Sequence, residues 1–350
     1  MSAEDLVRQA EEALAQDRFE VAVPLLRQAA DAGHGGACQR LAQYLLHFEP
    51  QSRGEEALQR LSQARGLGHP AGLYLSACVA LGGRLLRVEL REVAQWLLEA
   101  ARGGMPAARR AVLWVMACSR PDRLELSWLQ ADELPATEQL AARLREGLQA
   151  VPLEVHHDAP RVAVAPMLLS EPECRLLMQV AASRLRPSTV HDPVAAATWR
   201  DPLRSSSDWS LDPLEEDFIL RWVQARMAVA AGCPLVQAEH LVVLHYAPGE
   251  QYKPHRDDLG ATALQRHRPQ AGQRRRTLCA YLNEVEQGGQ TEFPLLGLAV
   301  QPRPGSAVIF DNLDAHGKGE PRSLHAGRPV LAGQKWLATL WWRQRDYRAW

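Results

Sequence analysis

The sequence predicts an α+β multidomain chain in two parts: a helical-repeat array, or α-solenoid, over residues 1–150, and an antiparallel double-stranded β-helix, or jelly roll, buttressed by helices over 151–350. Three observations predict it. Up to about residue 150, apolar residues recur at three- and four-residue steps in a stretch rich in Ala, Leu, Gln and Arg, the period of packed amphipathic helices. Within that stretch one segment repeats at a nearly fixed interval. Beyond Pro152 the helical period gives way to short β-rich runs punctuated by Gly and Pro.

The composition allows two ordinary cores, with 46% apolar residues in 350. Forty basic against 41 acidic side chains and a pI near 6.9 leave no global field to draw in nucleic acid or an anionic membrane. The first residues, MSAEDLVRQAEEALAQ, carry acids where a secretory leader needs a basic start and an apolar run. No stretch approaches the roughly 18 uninterrupted apolar residues of a membrane span. The expectation is a cytoplasmic protein with neither a membrane nor a nucleic-acid partner. Six scattered cysteines, Cys38, Cys78, Cys118, Cys174, Cys233 and Cys279, include no CxxC pair and are expected to be reduced core thiols.

The repeating segment is Leu26-x-x-Ala29 with Gly33-His34, then Leu61-x-x-Ala64 with Gly68-His69-Pro70-Ala71, then Leu97-x-x-Ala100 with Gly104-Met105-Pro106-Ala107, spaced 35 and then 36 residues apart. That interval suits stacked helix pairs, in which small residues allow close approach and the Gly ends one helix and turns the chain into the next. Residues 5–120 resemble the Sel-like branch of the tetratricopeptide superfamily. The resemblance implies a surface for protein partners or substrate, alongside the plainer role of a stabilising helical cap. His34 and His69 hold equivalent repeat positions and read as turn or packing residues.

In the second part a capping box at Ser170-Glu171-Pro172-Glu173 predicts a helix burying Leu176, Leu177 and Val180. A second helix is expected over roughly 214–231, with Phe218, Trp222 and Met227 inside. Strands are expected at Leu241 to Tyr246, Thr277 to Asn283, Leu298 to Gln301, Ser306 to Asp311 and Trp336 to Trp342.

In HYAPGEQYKPHRD, His255 and Asp257 lie two residues apart and point the same way from an extended backbone. Alone, such a pair is as readily a surface salt bridge. A second histidine, His325 in SLHAGRPVLAGQKW, follows 68 residues after Asp257, beyond several strands. Two His and one carboxylate on adjacent strands make the donor set of a non-haem Fe(II) site, which leaves positions open for a keto-acid cosubstrate and O2. The distal carboxylate of such a cosubstrate needs a buried cation. Lys335, ten residues after His325 and opening KWLATLWW, is the candidate, with a surface lysine as the alternative. His316, in DNLDAHGKGEPRS, is the rival third ligand but sits among loop residues, and His245 should face away from Tyr246 across its strand.

Residues 160–345 resemble the prolyl 4-hydroxylase family through LLSEPECRLL, LRSSSDWSL, YAPGEQYKPHRD, GQRRRTLCAYLNEVEQGGQTEFP, PRPGSAVIFDN and SLHAGRPVLAGQKWLATLWWR, in that order. The resemblance implies His255, Asp257 and His325 as iron ligands and Lys335 as the partner of the distal carboxylate of 2-oxoglutarate. Tyr246 and Thr291 match positions that hydrogen-bond the same cosubstrate. It also implies ascorbate as reductant, succinate and CO2 as coproducts, and a prolyl residue of a peptide or protein as substrate. A free amino acid or other small molecule is the alternative substrate, and a repeat scaffold with an inactive oxygenase domain is the alternative of another class. The basic segment 259–276, with Arg266, Arg268 and Arg274 to Arg276, reads either as a mobile lid or as a solvated connection. Arg204 with Ser205 to Ser207 is a second set expected to line the substrate channel, by resemblance.

Overall fold

Among the described residues, the first part holds eight α-helices: α1 (Ala3–Leu14), α2 (Phe19–Asp31), α3 (Gly35–Phe48), α4 (Pro50–Gly66), α5 (Pro70–Gly82), α6 (Leu90–Arg102), α7 (Pro106–Cys118) and α8 (Thr137–Gly147). The computed structural model describes every residue except 49, 83–84, 193–196, 201–203, 212–214 and 349–350, and describes only the backbone at 50–51, 189–192 and 197–200. Each sequence repeat is one helix pair: α2 with α3, α4 with α5, α6 with α7. Gly33, Gly68 and Gly104 all take positive φ, at 86°, 65° and 83°. After each, the next amide reaches back five residues: His34 to Ala29, His69 to Ala64 and Met105 to Ala100, at 3.0, 2.9 and 3.1 Å. This left-handed cap ends the helix, and glycine is the residue that adopts it without strain. Small residues then let the pairs close up, for a Cβ on Gly72 would stand 2.4 Å from the Ala64 Cβ. His34 accepts at Nδ1 from the Ala37 amide at 3.1 Å, a turn role. Helices α1 and α8 extend the array beyond the repeats, where the sequence carries no repeat signature.

The second part opens on a hairpin, β1 (Glu154–Asp158) and β2 (Arg161–Ala165), before either expected helix. Strand β1 is an exposed sheet edge carrying His156, His157 and Asp158, so no apolar alternation announces it. Helix α9 (Glu171–Ala182) begins at the predicted capping box, where the Ser170 amide donates to Glu173 Oε2 at 2.8 Å. It buries Cys174, Leu177 and Ala181 and leaves Leu176 and Val180 half-buried, an inner face turned from the expected one. Helix α10 (Phe218–Ala231) is capped by Asp217, which accepts from the Leu220 amide, and Leu214 lies outside the described residues. Phe218, Trp222 and Met227 are fully buried, as predicted.

The elements that build the two main sheets, with one further helix, are β3 (Ser207–Ser210), β4 (Val242–Tyr246), β5 (Tyr252–His255), α11 (Ala261–Arg266), β6 (Arg274–Tyr281), β7 (Thr291–Phe293), β8 (Leu298–Val300), β9 (Ala307–Asp311), β10 (His325–Gly327) and β11 (Lys335–Arg343). The major sheet runs β1-β2-β9-β6-β11-β4-β3, with Arg186–Pro187 beyond β3, and the minor sheet runs β8-β7-β10-β5. Neighbours pair antiparallel throughout both sheets, which together make the jelly roll. All five predicted strands overlap members of these sheets. The minor-sheet strands β5, β7 and β10 are only three or four residues long, too short to show alternation.

Helix α10 is buried almost all round because it serves two cores. Phe218, Ile219 and Trp222 pack into the helical array, while Leu220, Val223 and Met227 pack against the major sheet. The Phe218 amide, an orphan donor of the first turn, donates to the Tyr74 hydroxyl of α5 at 2.9 Å. The six cysteines are free and buried. Among the described residues no helix is long and apolar enough to cross a membrane.

Candidate metal centre

Antiparallel pairing of β10 with β5 sets His325 directly opposite His255, and the extended chain after β5 brings Asp257 beneath both. One ligand atom from each of the three lies within 4.8 Å of the others. His255 Nε2 is 3.6 Å from Asp257 Oδ1, and His325 Nε2 is 3.8 Å from Asp257 Oδ2. The backbone orients both rings: His255 Nδ1 stands 2.8 Å from the Lys253 carbonyl and His325 Nδ1 3.0 Å from the Ser323 carbonyl. A carbonyl only accepts, so each Nδ1 carries a proton and each ring turns Nε2 toward Asp257. Burial pushes His325 down to about 4, against the attraction of Asp257. Burial alone would raise Asp257, but His325, His255 and the Arg274 guanidinium hold its carboxyl far below the usual range. At neutral pH Asp257 is therefore a carboxylate, and with an imidazole nitrogen from each histidine beside it the set suits a divalent cation such as Fe(II).

Lys335, opening β11 beside Tyr246 of β4, is 2% exposed. Its Nζ donates to the Gly289 carbonyl at 2.7 Å and lies 5.5 and 5.6 Å from the ring centroids of Tyr246 and Tyr281. No carboxylate among the described residues reaches it, and burial pushes its ammonium down to about 8. A buried cation with no protein anion, sharing one cavity with the triad, suits the distal carboxylate of 2-oxoglutarate. Tyr246 and Thr291 line that cavity; Thr291 Oγ1 accepts from the Tyr281 hydroxyl at 2.7 Å, and Tyr246 bonds Ser206.

The cavity also shows residues that motif spacing did not single out. Lys335, Leu337, Thr339 and Trp341 line it from β11, Cys279 from β6, and Leu244 with Tyr246 from β4. Their period of two was the available signal: once Lys335 or Tyr246 is assigned inward, every second residue of its strand follows. Tyr252 stacks on His255 with ring centroids 3.4 Å apart.

Other candidates fall elsewhere. His316 is exposed in its loop, and His245 bonds Gln334 on the face opposite Tyr246, as expected. Arg204 lines the cavity, paired with Asp208 and 5.6 Å from the Tyr252 ring. In the basic segment, residues 260–270 are largely exposed, as a solvated connection would be, whereas the last three arginines are not. Arg274, Arg275 and Arg276 belong to β6 and are half-buried; Arg274 is neutralised by Glu239 and Arg276 by Asp311, while Arg275 donates to Cys233 Sγ. The loop before them is held to the chain end: Arg343 donates to the Gly272 and His267 carbonyls and Arg345 to that of Gln270. Charge composition hid these partners because they lie up to 76 residues away in sequence.

A family model described as the 2OG-Fe(II) oxygenase superfamily matches residues 241–343. Prolyl 4-hydroxylase 1 of Arabidopsis thaliana is 35% identical over 206 residues, 55% of this chain and 72% of that one. Probable prolyl 4-hydroxylase 3 of the same plant is 30% identical over 244 residues, 64% of this chain and 82% of that one. Among solved structures, a viral collagen prolyl hydroxylase from Paramecium Bursaria Chlorella virus-1, in complex with 2OG, is 26% identical, with a TM-score of 0.41 over 52% of this chain and 95% of that one. With relatives this similar over more than two thirds of their own length, the chain belongs to the prolyl 4-hydroxylase family of 2OG-Fe(II) oxygenases, and is an iron- and 2-oxoglutarate-dependent enzyme.

Proposed function

We propose that the protein hydroxylates a prolyl residue in a peptide or protein. The observation that carries the cofactor assignment is Lys335, a buried ammonium without a carboxylate partner among the described residues, in the same cavity as the triad. His255 and His325 hold the iron through Nε2 and Asp257 through its carboxylate. When bound, iron and 2-oxoglutarate supply the oxidising chemistry: one oxygen atom of O2 enters the substrate C–H bond and the other leaves in succinate, with release of CO2. Lys335 fixes the far carboxylate of the cosubstrate, with Tyr246 and Thr291 as its hydrogen-bonding neighbours. Leu244, Leu337 and Trp341 keep water from the pocket, so the charge pairing acts at low dielectric. Ascorbate restores iron oxidised in turnovers without substrate. The names of the plant relatives support the prolyl substrate, and the helical repeats are the surface we assign to recruiting it. Six free thiols support a reducing, cytoplasmic setting.

The test is succinate formation by the full chain with Fe(II), 2-oxoglutarate and ascorbate under air, with prolyl peptides as substrate. His255→Ala is expected to abolish turnover. Lys335→Ala removes a charged hydrogen bond of about 2–3 kcal/mol and should raise the KM for 2-oxoglutarate roughly 30- to 150-fold. Wild-type protein that makes succinate only with free amino acids overturns the peptide substrate, and protein that makes none with any prime substrate overturns the activity.

A further inference from the structure

Behind the Asp257 carboxylate lies a hydrogen-bond chain that the reaction does not require by itself. Thr277 Oγ1 donates to Asp257 Oδ2 at 2.7 Å, and Asn312 Nδ2 donates to Thr277 Oγ1 at 2.9 Å. Thr277 and Asn312 are both 0% exposed. The direction of the chain is forced. An ionised carboxylate only accepts, so the single hydroxyl proton of Thr277 points at Asp257, and Thr277 must then receive a proton from Asn312. The opposite amide orientation would set two acceptors against each other. The chosen one leaves Asn312 Oδ1 buried with no donor among the described residues, a penalty tolerated where the amide nitrogen is needed. Asn312 is also pinned through its backbone, donating to the Arg275 carbonyl at 2.9 Å and accepting from the Glu320 amide at 2.9 Å.

We infer that Thr277 and Asn312 are positioning residues that hold the Asp257 carboxylate rotated for the metal, an inference resting on the metal-centre assignment above. Tying down Oδ2 fixes the torsion of the carboxylate, so the ligand is set before the ion arrives. Outer partners of this kind are commonly worth 10- to 100-fold in metal affinity.

The experiment is Mn(II) binding to the metal-free full chain by calorimetry, with the thermal midpoint of the metal-free protein as the control for folding. Thr277→Val, which keeps shape but loses the donor, should weaken Mn(II) roughly 10- to 100-fold. Thr277→Ser should restore most of the affinity. Asn312→Ala should weaken binding in the same sense, and the double variant should be no worse than Thr277→Val, because the two act through one hydrogen bond. A merely structural role predicts the reverse: a lower midpoint, additive losses and unchanged Mn(II) affinity in whatever remains folded. Thr277→Val or Asn312→Ala that binds Mn(II) like wild type, while His255→Ala does not, overturns the relay alone. Wild type that binds Mn(II) no better than His255→Ala overturns the metal-centre assignment, and the relay with it. Should Thr277→Val not fold, the Thr277→Ser and Asn312→Ala affinities decide on the same criteria.

Discussion

Lys335 is a buried cation in the cavity that holds the triad, and we assign it to the distal carboxylate of 2-oxoglutarate. Burial lowers it to about 8, so it changes charge as pH rises through that value. The sign is fixed by which form binds: the ammonium attracts the distal carboxylate and the amine does not. The KM for 2-oxoglutarate should be flat below neutral pH and climb as pH rises through about 8, approaching tenfold per unit. Lys335→Arg, whose guanidinium does not titrate there, should bind less well but with a flat profile. Succinate assays across this range check both, and a flat wild-type profile would remove Lys335 from the role. This lysine was legible from the sequence because it stands at a fixed distance after a histidine of recognisable type. Thr277 was not: a threonine in a β-rich run needs no explanation beyond strand propensity, and only the pairing of β6 beside β9 and β11 brings it to Asp257, 20 residues away in sequence.

The repeat turns and the short strands show the same division among elements. The interval between Gly33, Gly68 and Gly104 was visible because each caps a helix with the same left-handed residue. A Cβ at any of the three meets nothing within 4 Å, so the only penalty is conformational. Alanine at each should therefore lower unfolding free energy by about 1 kcal/mol, read from denaturation midpoints. Gly72→Ala should be more damaging, since its Cβ has to displace Ala64 between α4 and α5. By contrast, β5 and β10 hold two of the three metal ligands yet span four and three residues, and their identity as strands follows from pairing with each other, which no local run of sequence records.

Across the whole molecule, the response to acid depends on carboxylates buried among arginines. Glu216, 8% exposed, is contacted by Arg221, Arg348 and Gln224, and Glu239 by Arg274 and Arg343. Burial would raise both carboxyls, but their guanidinium partners pull them below the ordinary value. A depressed carboxyl stabilises the fold above its unfolded pKa of about 4.3 and loses that contribution as pH falls through its folded value. The thermal midpoint should accordingly drop as pH is taken below about 4. Glu216→Gln should show a shallower acid slope but a loss of about 3–5 kcal/mol at neutral pH, where Arg221 and Arg348 lose their counter-charge. Asp217, which burial raises, works in the opposite sense and blunts the slope.

Helix α10 carries a practical consequence for rebuilding this protein. Its Trp222 fills the space that a Cβ on Gly147, at the end of α8, would occupy, with only 2.2 Å between them. Cutting the chain near residue 150 would hand the catalytic half an oily ridge of Phe218, Ile219 and Trp222 with water on it. A chimera that exchanges the helical array for another must bring its own socket for that ridge and a hydroxyl where Tyr74 meets the Phe218 amide. Modularity in this enzyme is thus limited by one shared helix, even though the sequence reads as two separable halves.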